Sequence, residues 1–153
     1  MLRIAKLTDY GIILMAHLAR QGEGALLSTR DLAEGTRIAP PTVSKLLKHL
    51  TRSGLLSSLR GTNGGYQLAR HASKIDVSEI IEALEGPLAM TECADERVSA
   101  CEEETSCPLR SHWNHINLAV KTALRSISLA ELASPIPHYN VVGLAHKAEP
   151  IDA

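Results

Sequence analysis

Phenylalanine is absent from the sequence, and with one Trp and three Tyr the aromatic content is only 3%. Proteins that grip single-stranded nucleic acid stack its bases on aromatic rings, so that mode of binding is disfavoured. Long hydrophobic runs are also missing. No stretch approaches the ~20 apolar residues of a membrane-spanning helix, and the longest near the start, Gly11-Ile12-Ile13-Leu14-Met15-Ala16, is broken by His17. The N-terminus has neither a long apolar core nor a small-residue cleavage site, so the expectation is a cytoplasmic protein with no membrane partner. Cysteine is sparse and odd in number, at three, which argues against a disulfide scaffold and favours metal or redox chemistry. Motifs of common enzymes are lacking too. There is no nucleophile elbow, P-loop or H-E-x-x-H, and the Gly61-to-Gly65 turn has no following Lys-Ser/Thr, so no enzyme is expected.

Net charge is nearly absent at −1, but it is a sum of opposed halves. Residues 1–75 carry eleven Lys/Arg against four Asp/Glu, a net of +7; residues 76–153 carry five against thirteen, a net of −8. Such asymmetry points to nucleic-acid binding by the basic half. Hydrophobic residues at 44% with 22% charged residues describe a globular chain.

The basic half reads as helices followed by a hairpin. Leu7 to Arg20 has an apolar stripe at helical spacing, with Thr8 or Asp9 as candidate cap, and Gln21-Gly22-Glu23-Gly24 ends it. Ser28-Thr29-Arg30-Asp31 has capping-box spacing and opens a short second helix that stops near Gly35. A third helix runs from about Pro41 to Arg52, with Val43, Leu46, Leu47 and Leu50 inward, and Ser53-Gly54 ends it. A short helix, a tight turn and a helix of about three turns is helix-turn-helix arithmetic. Leu55–Leu59 and Tyr66–Ala69 are strand-like around a turn containing Asn63-Gly64-Gly65, which predicts a β-hairpin, the wing of a winged helix. The expected fold class is therefore mainly α with a small β-hairpin: a winged helix-turn-helix domain followed by a long dimerisation helix.

In the acidic half, Asp76 caps a helix from Val77 to Leu84 that closes at Gly86-Pro87. Residues 88–107 show no periodicity and hold all three cysteines and six acidic side chains. Leu109 to Leu132 then reads as one long helix. Leu109, Trp113, Ile116, Val120, Ala123 and Ile127 step by three and four, a heptad seam that predicts dimerisation. Ser134-Pro135-Ile136-Pro137 breaks it. The expected organisation is a DNA-binding domain over 1–75, a connecting helix and cysteine loop over 76–107, a dimerisation helix over 108–132 and a disordered tail over 133–153.

Lys45, Lys48 and Arg52 share a face of the third helix, and Thr42 and Ser44 occupy its first turn, where a recognition helix meets base edges. Arg60 and Asn63 stand at the wing tip beside glycines that let backbone approach DNA. These seven residues are the expected contacts to double-stranded DNA, and a homodimer would place two heads on a palindromic operator. The cysteines are spaced Cys93-x7-Cys101-x5-Cys107. No close Cys pair of the kind that builds zinc sites is present; three thiolates in one loop with an exchangeable fourth ligand suit an iron–sulfur cluster better. Three ordinary reduced cysteines remain the alternative at this point, although neighbouring Glu102-Glu103-Glu104 disfavour thiolates unless a cation is bound.

Taken together, Leu7-Thr8-Asp9-Tyr10, the segment Arg60-Gly61-x-x-Gly64-Gly65-Tyr66-x-Leu68-Ala69-Arg70 and the three-Cys loop before a long helix resemble the Rrf-two family. These are bacterial winged-helix regulators with IscR-like and NsrR-like members. Ile80-Ile81-Glu82-Ala83-Leu84-Glu85-Gly86-Pro87 and Cys107-x-Leu109-Arg110-x-x-Trp113-x-x-Ile116-Asn117 look most like the proteobacterial regulators of SUF iron–sulfur assembly genes. The resemblance implies a homodimeric transcriptional regulator controlled by a 2Fe–2S or 4Fe–4S cluster on Cys93, Cys101 and Cys107. For the fourth ligand, IscR-like members use a His three residues after the last Cys, where this sequence has Arg110. NsrR-like members use an Asp from the partner's first helix, which Asp9 matches; His112 is the alternative. A cluster-free thiol- or zinc-sensing repressor and a nitric-oxide-sensing regulator are the competing expectations.

Overall fold

A computed structural model describes residues 3–61, 64–91 and 107–134. Asn63, Cys93, Cys101 and the expected tail beyond Ser134 lie outside the described residues.

Capping chemistry sets half of the α-helix starts among the described residues. α2 spans Thr29–Thr36 and α4 spans Val77–Glu85, and each opens with a complete capping box. At α2 the Ser28 hydroxyl accepts from Asp31 N–H at 3.2 Å while the Asp31 carboxylate accepts from Ser28 N–H at 3.0 Å. α1 spans Lys6–Arg20 and departs from expectation: neither Thr8 nor Asp9 caps it. It starts after Ala5, whose N–H donates instead to Glu85 at the end of α4, at 2.9 Å. α3 spans Pro40–Arg52, one residue earlier than expected, because both prolines fit a first helical turn that needs no N–H donor. Val43, Leu46, Leu47 and Leu50 are fully buried, as their spacing requires.

The wing is an antiparallel pair, β1 Leu56–Leu59 and β2 Gly65–Leu68, with Leu56 opposite Leu68 and Leu59 opposite Gly65. Tyr66 also bridges back to Leu27, with backbone bonds of 2.8 and 3.1 Å, so the wing root is tied to the residue before α2's cap. That bridge explains Gly65. A Cβ there would lie 2.6 Å from the Leu27 carbonyl oxygen, and one on Gly64 would collide with that of Leu59. Close backbone approach, not left-handed φ, is what both glycines serve. Gly65→Val should push the wing root off Leu27 and cost about 1–3 kcal/mol, seen as a lower thermal melting midpoint.

The expected long helix from Leu109 to Leu132 is two helices. α5 spans Arg110–Arg125, and after Ser126-Ile127-Ser128 the short α6 spans Leu129–Ala133. The Ser128 hydroxyl and Glu131 carboxylate form a third capping box, and Leu129 turns inward to full burial. The break is held from a distance: Ile127 C=O accepts from Val77 N–H at 3.0 Å, and Leu129 N–H donates to Ile75 C=O at 2.8 Å. Arg20 Nε, from α1, donates to the Ala133 carbonyl at 2.9 Å and covers α6's end. The core accordingly joins Leu14, Met15 and Leu18 of α1 and the buried face of α3 to Ile80 of α4 and Leu129 of α6. It does not close at residue 75, where the sequence places a domain boundary.

The capping carboxylates respond to acid. Hydrogen bonds from the Ser28 hydroxyl and then its backbone N–H hold Asp31 below the usual carboxylate range, and those from the Ser128 backbone and then its hydroxyl do the same for Glu131. A depressed carboxyl stabilises the fold above its ordinary value and loses that contribution as pH falls through the lowered one.

Candidate nucleic-acid interface and cysteine site

On α3 the buried set and the charged set divide cleanly. Ser44, Lys45, Lys48 and Arg52 are exposed, and Thr42 in the first turn is half-buried. Leu46, Leu47 and Leu50 lock the helix to the core from behind, so these side chains project from a rigid element. Among the described residues, no carboxylate pairs with Lys45, Lys48, Arg52 or Arg60. Arg30 and Arg70 differ: each is held by a glutamate, Glu34 and Glu79 respectively. Lys45, Lys48, Arg52 and Arg60 are thus left without a carboxylate among the described residues, the state that phosphate attraction and counterion release would use. Arg60 is exposed where β1 ends, beside Gly61, whose φ of +120° turns the chain into the wing tip. Between wing and α2 lies a polar cleft of about 530 Å³ lined by Ser28, Thr29, Ser58, Arg60 and Tyr66 among others.

One basic residue on this side is not among the contacts expected from sequence. Arg37, directly after α2, adopts φ 59° and ψ 25°, the left-handed region, and is exposed. Nothing local in the sequence signals that conformation at an arginine; its position in the turn between the second and third helices was the available hint.

The candidate cluster residues are only partly within the described residues. Cys107 is a free, half-buried thiol three residues before α5. Asp9, in the first turn of α1, is exposed, and its carboxylate has no hydrogen-bond or ion-pair partner among the described residues. It is therefore not committed as a cap. His112 is exposed on α5. Thiol and carboxylate donors are the right chemistry for iron, and neither Asp9 nor Cys107 is consumed by another role. Among the described residues alone, no group of three His, Cys, Asp or Glu side chains converges as a metal site.

No residue of α5 is buried, which is unusual for a helix carrying this many apolar side chains. One side meets its own chain: Lys121 Nζ lies 3.5 Å from Glu82 of α4, and Asn117 Oδ1 accepts from Met90 N–H at 3.3 Å. Trp113, Val120 and Leu124 fall on that side by helical spacing and are half-buried. Turned away from it, Leu109, His112, Ile116, Ala119 and Ala123 continue at steps of three and four to Ile127, and all are exposed, Leu109 by 53% and Ile116 by 41%.

The family profile named Rrf2 and described as "Iron-dependent Transcriptional regulator" matches residues 4–135. The chain belongs to the Rrf2 family. Among individual relatives of this Rrf2 chain, the Rrf2 protein of Nitratidesulfovibrio vulgaris is 30% identical over 131 residues, 86% of this chain and 87% of that one. The HTH-type transcriptional regulator IscR of Klebsiella pneumoniae is 28% identical over 148 residues, 97% of this chain and 90% of its own. In three dimensions, the Rrf2 chain is similar to CymR, the global cysteine regulator of B. subtilis, with a TM-score of 0.67 and 31% identity, covering 87% of this chain and 97% of that one. Rrf2 relatives of this kind are transcriptional regulators and not enzymes, and the winged-helix architecture expected from sequence is the one found. No helix among the described residues is long and apolar enough to cross a membrane.

Proposed function

We propose that this Rrf2 chain is a homodimeric, sequence-specific DNA-binding regulator whose affinity for a palindromic operator is set by an iron–sulfur cluster, and that its targets are SUF iron–sulfur assembly genes. Cys93, Cys101 and Cys107 would hold the cluster with Asp9 of the partner protomer as fourth ligand, His112 being the alternative. When bound, such a cluster supplies an oxidation-sensitive cross-link among these donors. The observation that carries the reading is the placement of α5. The free thiol of Cys107 stands at its start, and its far end is sewn by Ile127 and Leu129 to the core that supports α3. Holding or releasing the Cys107 end would shift the population of relative positions open to the two DNA-binding heads.

Dimerisation uses the exposed stripe of α5, in which Leu109, Ile116, Ala123 and Ile127 of the heptad seam take part while Trp113 and Val120 face their own chain. Ala119 and Ala123 are small enough to let two helices approach. Ile116→Asp should weaken dimerisation at least about tenfold by exchanging buried apolar area for a charge, measured by sedimentation. Leu118→Asp should not, because Leu118, although 58% exposed, lies on the opposite side of α5. Anaerobic purification followed by a visible spectrum and iron and sulfide analysis tests the cluster. A brown protein with both elements supports it; a colourless, zinc-bearing one removes it. In that event the likeness to CymR, a cysteine regulator, favours the second reading, a cluster-free thiol or zinc sensor on the same DNA-binding head.

A further inference from the structure

We propose that Arg37, in the turn between α2 and α3, is an additional phosphate anchor of the DNA interface; this rests on the DNA-binding reading above. Among the described residues it is the one non-glycine with positive φ. An L side chain in that conformation is strained, and glycine after a helix's last turn removes the strain at no steric cost. An arginine kept at such a site points to a use for its side chain. The guanidinium is exposed and, among the described residues, has neither a carboxylate nor a carbonyl partner. Two other arginines of the helical head are occupied: Arg20 covers the end of α6 and Arg30 pairs with Glu34. Arg37 instead shares the free state of Lys45, Lys48, Arg52 and Arg60.

Its place in the chain gives that free charge a target. Two residues separate it from Pro40, the first residue of α3, whose opening turn carries Thr42 and Ser44. A recognition helix enters the major groove by this end, so the turn before it passes the phosphates at the groove edge. A long, planar cation suits a phosphate oxygen there, with bidentate hydrogen bonding. A purely structural role is the competing account, since a cation after α2 also meets the negative end of that helix's dipole.

Opposite movements of stability and binding separate the two. The full-length protein, purified anaerobically, is compared with Arg37→Gly and Arg37→Lys by thermal melting and by fluorescence anisotropy on a mixed-sequence DNA duplex across a salt series. Phosphate contacts operate on any sequence, so no operator is needed. Arg37→Gly should melt about 2–4 °C higher as strain is relieved, yet bind about threefold to tenfold more weakly at moderate salt. Its plot of log affinity against log salt should be shallower by about 1.8, since each protomer would neutralise one phosphate fewer. Arg37→Lys should keep the wild-type slope. Unchanged affinity and slope in Arg37→Gly, with the wild type binding, would overturn the anchor and leave the DNA-binding reading intact. Failure of the wild type to bind duplex DNA would overturn both.

Discussion

Cys107→Ser, purified anaerobically, should lose iron, acid-labile sulfide and visible absorbance together, by at least about tenfold relative to the wild type. Serine is nearly isosteric but binds iron poorly, and Cys107 is half-buried rather than packed in the core, so the fold should survive. Retained secondary structure, checked by circular dichroism, distinguishes cluster loss from unfolding. The variant should also become insensitive to air in a DNA-binding assay, because the donor at the root of α5 is what oxidation would otherwise release. Asp9→Ala and His112→Ala then sort the fourth ligand. The true ligand's removal should leave a cluster that forms but decays faster, whereas the other variant should match the wild type. A Cys107→Ser protein that keeps its colour and iron would end the cluster assignment for this thiol.

Lys45→Ala combined with Arg60→Ala should weaken operator binding by about tenfold to a hundredfold. Both side chains are exposed and unpaired, one on α3 and one on the wing, so their removal takes away attraction without leaving an unpaired buried charge. Each phosphate-binding Lys or Arg deleted from both protomers should flatten the salt dependence by about 1.8 in log–log slope. The melting midpoint should stay within a few degrees, because neither residue touches the core. Thr42→Val or Ser44→Ala should behave differently, relaxing preference at particular base pairs by about 1–3 kcal/mol while leaving the salt slope alone. The measurement is a gel-shift titration on an operator selected from random-sequence DNA. Binding unchanged in Lys45→Ala/Arg60→Ala would dismiss α3 and the wing as the DNA-contacting surface.

Elements whose instructions are local are legible in the sequence itself. Ser28-x-x-Asp31 and Asp76-x-x-Glu79 place both members of a capping box within one turn, so α2 and α4 start where their sequences say. The spacing of Val43, Leu46, Leu47 and Leu50 fixes which face of α3 is buried, and hence which face Lys45, Lys48 and Arg52 share. The same box motif, Ser128-x-x-Glu131, is present in the acidic half but lies inside the span from Leu109 to Leu132 that reads as one helix. Period alone does not show that the helix stops, because the groups holding the break, Ile75 C=O and Val77 N–H, come from far earlier in the chain.

The two halves of opposite charge follow from composition, and the winged helix of the basic one follows from its capping residues, apolar spacing and hairpin turn. Periodicity also marks the acidic half as the holder of an apolar helix seam. Contacts between distant segments decided the rest: Leu129 belongs to the core, and Gly65 is required by the Leu27 carbonyl. Arg37 is the sharpest case. Its left-handed backbone, at the C-cap of α2, is a conformation that no propensity at an arginine encodes. Short-range hydrogen bonds and side-chain periodicity are written in neighbouring residues, whereas burial and strain depend on which remote surfaces meet.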